Sequence, residues 1–173
     1  MIYLVLGGAR SGKSAHGERL AKQMEQAGKS VIYIATADPK HNDDEMNERI
    51  CHHKCHRPEH WQTLEIPKYL ANVLNELIHQ QNIVIIIDCL TIWLSNVLSS
   101  DELTAQKRAL LLALENYPHD VIMISNETGL GVVPMGQLSR RFVDESGFLH
   151  QQLAQIAHQV VFCVAGLPMT LKG

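Results

Sequence analysis

Eight consecutive residues, Gly7-Gly8-Ala9-Arg10-Ser11-Gly12-Lys13-Ser14, carry the clearest chemistry in the chain. They fit the spacing G-x-x-x-x-G-K-[ST], in which glycines let the backbone wrap so that several N–H groups point at phosphate oxygens. The helix that follows adds the positive end of its dipole at the same spot. Lys13 then serves as a point charge for the β and γ phosphates, and the Ser14 hydroxyl is a candidate ligand for Mg²⁺. An acidic partner for that metal belongs at the end of another buried strand. Asp88 occupies such a place in IVIIIDCL, after five apolar residues. Capping the helix that follows is the competing duty for this aspartate.

A second group of reactive side chains lies in RICHHKCHRPEHW, where Cys51, His52, His53, Cys55, His56 and His60 crowd together, with His41 upstream. Three readings fit it. The run is a solvated polar helix and loop; or Cys51 and Cys55, with His52 and His56 at the same helical spacing, hold zinc, although no second cysteine pair completes a tetrahedral site; or one imidazole is a nucleophile toward phosphorus, uncharged near neutral pH and able to form a phosphoramidate. Composition alone does not choose between them. Further on, SNETGLGVVP offers Asn126 and Glu127 at the end of a buried strand, followed by a loop able to close over a large substrate. Glu127 is a candidate base for a substrate hydroxyl or an aid in placing the metal, against the plainer duty of capping the loop. Arg140 and Arg141 are candidates for phosphate binding or for surface pairing.

The elements that must position these residues alternate along the chain. IYLVLGG reads as a buried strand, the helix after the loop starts near Lys13 and ends at Gly28, and SVIYIATA supplies a second strand. DDEMNERICHHK reads as a helix, TLEIP as a short extended piece and Tyr69 to Gln80 as an amphipathic helix before IVIIIDCL. A helix through TIWLSNVL follows, then another from Asp101 to Asn116 opened by Ser100 as a cap candidate. DVIMISNE is the next strand, QLSRRFVDESGFLHQQLAQIAHQ a helix, and VVFCVAG closes as a final strand. Continuous apolar strands joined by helical crossovers predict an α/β fold with a mostly parallel sheet covered on both faces. Ligands of such a sheet bind at the carboxyl ends of its strands.

Composition narrows the partners. The 173 residues suit one domain, so residues 1–173 are read as a single nucleotide-binding domain. A net charge of −3 with fifteen basic residues spread along the chain gives no footprint for nucleic acid or an anionic membrane, and small-molecule ligands are expected. No apolar run reaches the roughly 18 residues of a membrane span. With no basic leader before the first strand, the cytoplasm is the expected location. Four cysteines without a C-x-x-C pair read as reduced thiols.

Taken together, GGARSGKS, YIATA, DDEMNERI with the HHK, RP and HW that follow it, the strand ending at Asp88, and SNETGLGVVP resemble the bifunctional adenosylcobinamide kinase/adenosylcobinamide-phosphate guanylyltransferases of cobalamin biosynthesis. The resemblance runs from Met1 to about Gly166. It implies a RecA-like parallel sheet, phosphorylation of the aminopropanol hydroxyl of adenosylcobinamide, and then GMP transfer from GTP through a guanylylated histidine to give adenosylcobinamide-GDP. ATP and GTP are the implied substrates alongside the corrinoid, with Mg²⁺ as cofactor. By position it implies phosphate binding by Gly7 to Ser14, nucleotide contacts from Ala35, Thr36 and Ala37, and a GMP-accepting histidine in the pair His52 and His53, with His53 preferred. Lys54, Cys55, His56, Arg57, Glu65 and Asp88 are the neighbouring nucleotide-site positions. A histidine attacking an α phosphorus needs cations beside the pyrophosphate leaving group, and Lys13, Lys54 and Arg57 are candidates. The resemblance also implies a homo-oligomer, a trimer by analogy. The chain departs from the family's pattern at Cys55-His56, near His150, where asparagine is common, and in a shorter stretch between Asn96 and Lys107. The competing function is a small-metabolite kinase with the same phosphate loop and no nucleotidyl transfer.

Overall fold

The computed structural model describes residues 1–38 and 58–173. β1 (Ile2–Gly7) leads through the glycine loop into α1 (Lys13–Gln26) and β2 (Ser30–Ala35). Then come β3 (Gln62–Glu65), α2 (Leu70–Leu77), β4 (Ile83–Asp88), α3 (Leu90–Leu98) and α4 (Leu103–Leu114). β5 (Asp120–Asn126), α5 (Gln137–Ile156), β6 (Gln159–Val164) and β7 (Leu167–Lys172) complete the order. The helix expected over DDEMNERICHHK lies outside the described residues.

The seven strands make one sheet in the order β3-β2-β4-β5-β1-β6-β7, parallel except for the last pair. The apolar strand runs are explained by their two covered faces. Ile83, Ile85 and Ile87 of β4 pack into a cluster with Leu70, Leu74, Trp93, Leu110 and Leu153 from α2 to α5. The intervening Val84 and Ile86 pack on the other face with Ala21 of α1. Side chains two apart share a face, so a helix can cover each side only if both sets are apolar. The expected sheet with helices on both faces is what the chain forms.

Several boundaries follow from local hydrogen bonding. α1 ends where Gly28 N–H donates to the Glu25 carbonyl at 2.9 Å and Lys29 N–H to that of Met24 at 3.1 Å, satisfying carbonyls that the helix leaves open. Ser100 does not open the next helix. Its hydroxyl donates to the Val97 carbonyl at 2.8 Å, closing α3, and α4 begins three residues later with no side-chain cap. VVFCVAG is not the last strand either: Ala165 (φ 51) and Gly166 (φ 80) form a two-residue turn, and β7 returns antiparallel to β6. β7 is exposed along its whole length. With neither face covered it has no continuous apolar run to mark it, and Pro168 is tolerated because the strand is an edge.

Candidate functional site

The topology gathers the chemistry at the carboxyl end of the sheet. β1 lies between β5 and β6, so the phosphate loop leaves the sheet flanked by the ends of both. The β1–β5 register pairs Gly7 with Asn126, and Glu127 N–H donates to the Gly7 carbonyl at 3.0 Å, which fixes Glu127 at the root of the loop. On the other side, Gly166 N–H donates to the Ser11 carbonyl at 2.9 Å, so the β6–β7 turn buttresses the loop.

Two glycines are required by this packing. A Cβ on Gly7 would lie 2.4 Å from Ser11 Oγ and 2.7 Å from the Cys163 carbonyl oxygen. Gly12 has φ +90, and a Cβ there would stand 3.0 Å from Gly166 Cα. α1 starts immediately after, placing Lys13 and the half-buried Ser14 in its first turn. Gly8, Ala9 and Arg10 form the more exposed tip, with Arg10 at φ 55.

Lys13 Nζ donates to the Gly8 carbonyl at 3.0 Å. Burial pulls its pKa below the usual lysine value, while Cys89, Asp88 and Cys163 act in the opposite sense. A half-desolvated ammonium is a charge that a polyphosphate would compensate better than one carbonyl does. Cys89 stays a neutral thiol: burial, with help from the Asp88 carboxylate, pushes it up to about 11. Burial raises Cys163 as well.

Asp88 ends β4, with β5 inserted between its strand and β1. Its Oδ2 accepts a hydrogen bond from the Tyr33 hydroxyl at 2.8 Å. Ala35 is in register with both Asp88 and Glu65, so the residues expected on β2, β3 and β4 do share one end of the sheet. Thr36 is fully buried, and its hydroxyl both donates to the Cys89 carbonyl at 2.7 Å and accepts from Cys89 N–H at 3.0 Å. It ties β2 to β4 beside Asp88. Ala37 is half-buried just beyond. Glu65 is exposed on the edge strand, four strand positions from β1. At ~4.8 Å per strand that is about 19 Å, so Glu65 and the phosphate loop lie far apart along the carboxyl edge of the sheet. His52, His53, Lys54, Cys55, His56 and Arg57 lie outside the described residues.

A cleft of about 350 Å³ opens beside the loop, walled by Gly8 to Ser11, Glu127, Leu130 and the end of β6 from Phe162 to Ala165. Four buried side-chain atoms have no hydrogen-bond partner among the described residues: Ser11 Oγ, Asn126 Oδ1, Thr128 Oγ1 and His150 Nδ1. Buried polar atoms are nearly always paired, so Ser11 Oγ on the phosphate loop and Asn126 Oδ1 and Thr128 Oγ1 at the end of β5 mark a place built for a ligand, whereas His150 Nδ1 faces the Glu127 carboxylate at 3.5 Å. The Arg140 guanidinium donates to the carbonyls of Pro134 and Met135 and ties the loop before α5 to that helix. Sequence reasoning gave Ser125, Thr91 and His150 no role in the site. The sequence marks His150 only by a nearby departure from the family's pattern and by its place on the apolar stripe of a helix, where a histidine is ordinarily a core residue.

The comparisons agree with this geometry. The model of the family described as cobinamide kinase / cobinamide phosphate guanyltransferase matches residues 3–171. The chain belongs to this family. It is 51% identical over 173 residues to the bifunctional adenosylcobalamin biosynthesis protein CobP of Pseudomonas aeruginosa, covering 98% of this chain and 96% of that one. It is 38% identical over 191 residues to the bifunctional adenosylcobalamin biosynthesis protein CobU of Escherichia coli, covering 99% and 100%. Among solved structures, an ATPase domain matches with TM-score 0.55 at 14% identity, over 93% of this chain and 68% of that chain. A KaiC-like protein from Pyrococcus horikoshii matches with TM-score 0.50 at 15% identity, over 93% and 69%. At such low identity these two show the fold alone, the RecA-like sheet of phosphate-loop nucleotide-binding proteins. The expected bifunctional kinase and guanylyltransferase agrees with the family and with both relatives. Among the described residues no helix is long and apolar enough to cross a membrane.

Proposed function

We propose that this member of the cobinamide kinase/guanyltransferase family phosphorylates the aminopropanol hydroxyl of adenosylcobinamide and then converts the product to adenosylcobinamide-GDP. The observation that carries the kinase half is the cleft that puts Glu127 against Gly8 to Ser11, with unpaired buried polar atoms in and behind its walls. The phosphate loop and Lys13 hold the γ phosphate of ATP or GTP. The acceptor hydroxyl oxygen attacks the γ phosphorus, its proton passes to the Glu127 carboxylate, and the bond to the β–γ bridging oxygen breaks, releasing the nucleoside diphosphate. Leu130 and Phe162 add apolar surface to the cleft wall beside this point.

Ser14 and Asp88 fit Mg²⁺ as hydroxyl and carboxylate donors, the hard oxygen ligands that ion takes, and the neutral Cys89 thiol beside them does not compete. Bound there, the ion would neutralise phosphate charge. In the second half-reaction a His53 ring nitrogen attacks the α phosphorus of GTP, forming a P–N bond as the α–β bridge breaks and pyrophosphate leaves. A phosphate oxygen of adenosylcobinamide phosphate then displaces the imidazole and takes the GMP. Lys54 and Arg57 stand beside His53 in sequence as cations for the leaving group, with Ala35, Ala37, Cys55, His56 and Glu65 in the nucleotide's surroundings. The exposed apolar residues Leu130, Val132, Val133 and Met135 of the loop after β5 suit contact with the broad corrinoid or with another copy in a homo-oligomer, a trimer by analogy.

The test is incubation with α-³²P-labelled GTP. Label that survives denaturation, is stable to base and labile to acid, and chases into product on adding adenosylcobinamide phosphate is expected. Phosphorylation of adenosylcobinamide without any protein-bound label would leave the small-metabolite kinase reading in place.

A further inference from the structure

Behind Glu127 runs a chain of buried polar contacts that none of the assignments above uses. Asn126 N–H donates to Thr91 Oγ1 at 2.6 Å, Thr91 Oγ1 lies 3.3 Å from Ser125 Oγ, and Ser125 Oγ lies 2.7 Å from His150 Nε2. On the far side of the ring, His150 Nδ1 faces Glu127 Oε2 at 3.5 Å. The other carboxylate oxygen, Oε1, accepts Gly129 N–H at 2.5 Å. His150 and Ser125 are both buried, at 7% and 1% exposure, so water does not substitute for these contacts.

The proton positions follow from counting donors. Burial lowers the pKa of His150 more than the Glu127 carboxylate raises it, so the ring is neutral at pH 7 and carries one N–H. Placed on Nε2, that proton would leave the bare Nδ1 lone pair facing a carboxylate. Placed on Nδ1, it gives one consistent direction: Thr91 O–H to Ser125 Oγ, Ser125 O–H to His150 Nε2, and His150 Nδ1–H to Glu127 Oε2. The 3.5 Å separation leaves that final bond long, and catalytic hydrogen bonds commonly tighten when the substrate arrives. Backbone and imidazole thereby hold one oxygen each, and the lone pairs left over on the carboxylate are directed into the cleft.

We propose that His150 is a positioning residue for phosphoryl transfer: anchored through Ser125 and Thr91 to the ends of the central strands, it orients the Glu127 carboxylate toward the acceptor hydroxyl. The inference rests on Glu127 being the base.

A double-mutant cycle on the kinase reaction tests it. Glu127→Gln lowers kcat about 10²-fold or more. His150→Leu lowers kcat about tenfold and leaves the KM for the nucleotide within about twofold, because it disturbs aim and not phosphate binding. In the Glu127→Gln background the same change costs less than about twofold, since an orienting residue has nothing left to orient. His150→Asn, whose amide N–H falls close to the position of Nδ1, recovers most of the rate. An equal tenfold loss from His150→Leu in both backgrounds overturns the proposal while leaving Glu127 as base. A Glu127→Gln enzyme with an undiminished kinase rate overturns the base assignment itself, and His150 falls with it. If His150→Leu does not fold, ¹⁵N spectra of histidine in the unaltered chain decide. The resonances that vanish in His150→Asn must show a protonated Nδ1 and a bare Nε2, and the reverse tautomer refutes the arrangement.

Discussion

The phosphate loop and the end of β5 lie side by side and are built in opposite ways. The loop proposed to hold phosphate is eight consecutive residues and would act mostly through backbone. Its conformation is imposed by Gly7 and Gly12, where a side chain would strike Ser11, the Cys163 carbonyl or Gly166. The relay proposed at the β5 end joins side chains from three elements: Thr91 on α3, Ser125 and Glu127 at and just beyond the end of β5, and His150 on α5. A backbone cradle survives any change that preserves the turn. A side-chain relay depends on every link and on the packing of α5. Phosphate binding should therefore respond to backbone strain in the loop, and the use of the acceptor to substitutions far away in sequence.

The largest expected effect is at the proposed covalent step, whose histidine lies outside the described residues. His53→Ala should abolish the acid-labile GMP label completely while retaining a good part of the kinase rate, because transfer to a hydroxyl needs the loop and a base but no protein nucleophile. His52→Ala is the control that shows which histidine of the pair accepts the GMP. Loss of label in His52→Ala with retention in His53→Ala would move the nucleophile by one residue; label in both would remove the covalent mechanism.

Next in size is Lys13→Ala, expected to lower turnover of nucleoside triphosphate by about 10³-fold. The half-buried ammonium acts on phosphates and packs in neither core cluster, so the circular dichroism spectrum and melting temperature should stay close to the parent's. Unaltered kinase and transferase rates in that folded variant would defeat the phosphate-loop assignment. Gly12→Ala probes the same loop through backbone alone. At φ +90, with a Cβ 3.0 Å from Gly166 Cα, alanine should cost about 1–3 kcal/mol and weaken nucleotide binding before acceptor binding, read as a rise in KM for ATP or GTP larger than that for the corrinoid. Equal rises for both substrates would show that loop and relay are not separable.

What could be read from the chain follows the same division. The loop was legible because a contiguous motif between an apolar run and a helix leaves few other structures open. The sheet was legible because the IVIII of β4 and the VIMI of β5 are unbroken apolar runs, which only a doubly covered strand requires. β7 was not, since an edge strand exposed on both faces has no burial pattern to betray it. Ser100 misled because a serine between two helices suits both the end of one and the start of the next, and tertiary packing chose the first. Thr36 was rightly placed at the strand end, but nothing in YIATA tells that its hydroxyl is spent on the Cys89 backbone. The proposed relay through His150 was hidden because its contacts join residues distant in sequence, Thr91 with Ser125 and His150 with Ser125 and Glu127, and His150 reaches its partners only when α5 docks on the sheet.

The smallest expected effect lies at the opposite end of the sheet, and it shows whether the two active regions are insulated from global stability. Asp120 begins β5 and pairs with Lys29 and, at 2.5 Å, with the Met1 ammonium. Burial alone would raise its carboxyl, but the hydrogen bonds and charges of Lys29 and the N-terminus outweigh that and hold it below the ordinary 3.8. A carboxyl whose folded pKa is depressed contributes stability that is fully present above its unfolded pKa and is lost as pH falls through the folded one. Asp120→Asn should therefore melt earlier than the parent by a constant margin from pH 8 to about 5, corresponding to no more than about 1 kcal/mol because Lys29 is partly solvated. The margin should shrink below about pH 4, as the parent's own carboxyl becomes protonated. Kinase and transferase rates at 25 °C should be unchanged, since Asp120 sits a full strand length from Glu127. A margin that instead grows on acidification would mean that the ion pair is not the source of the stability, and a fall in kcat would mean that strain at one end of β5 reaches the relay at the other.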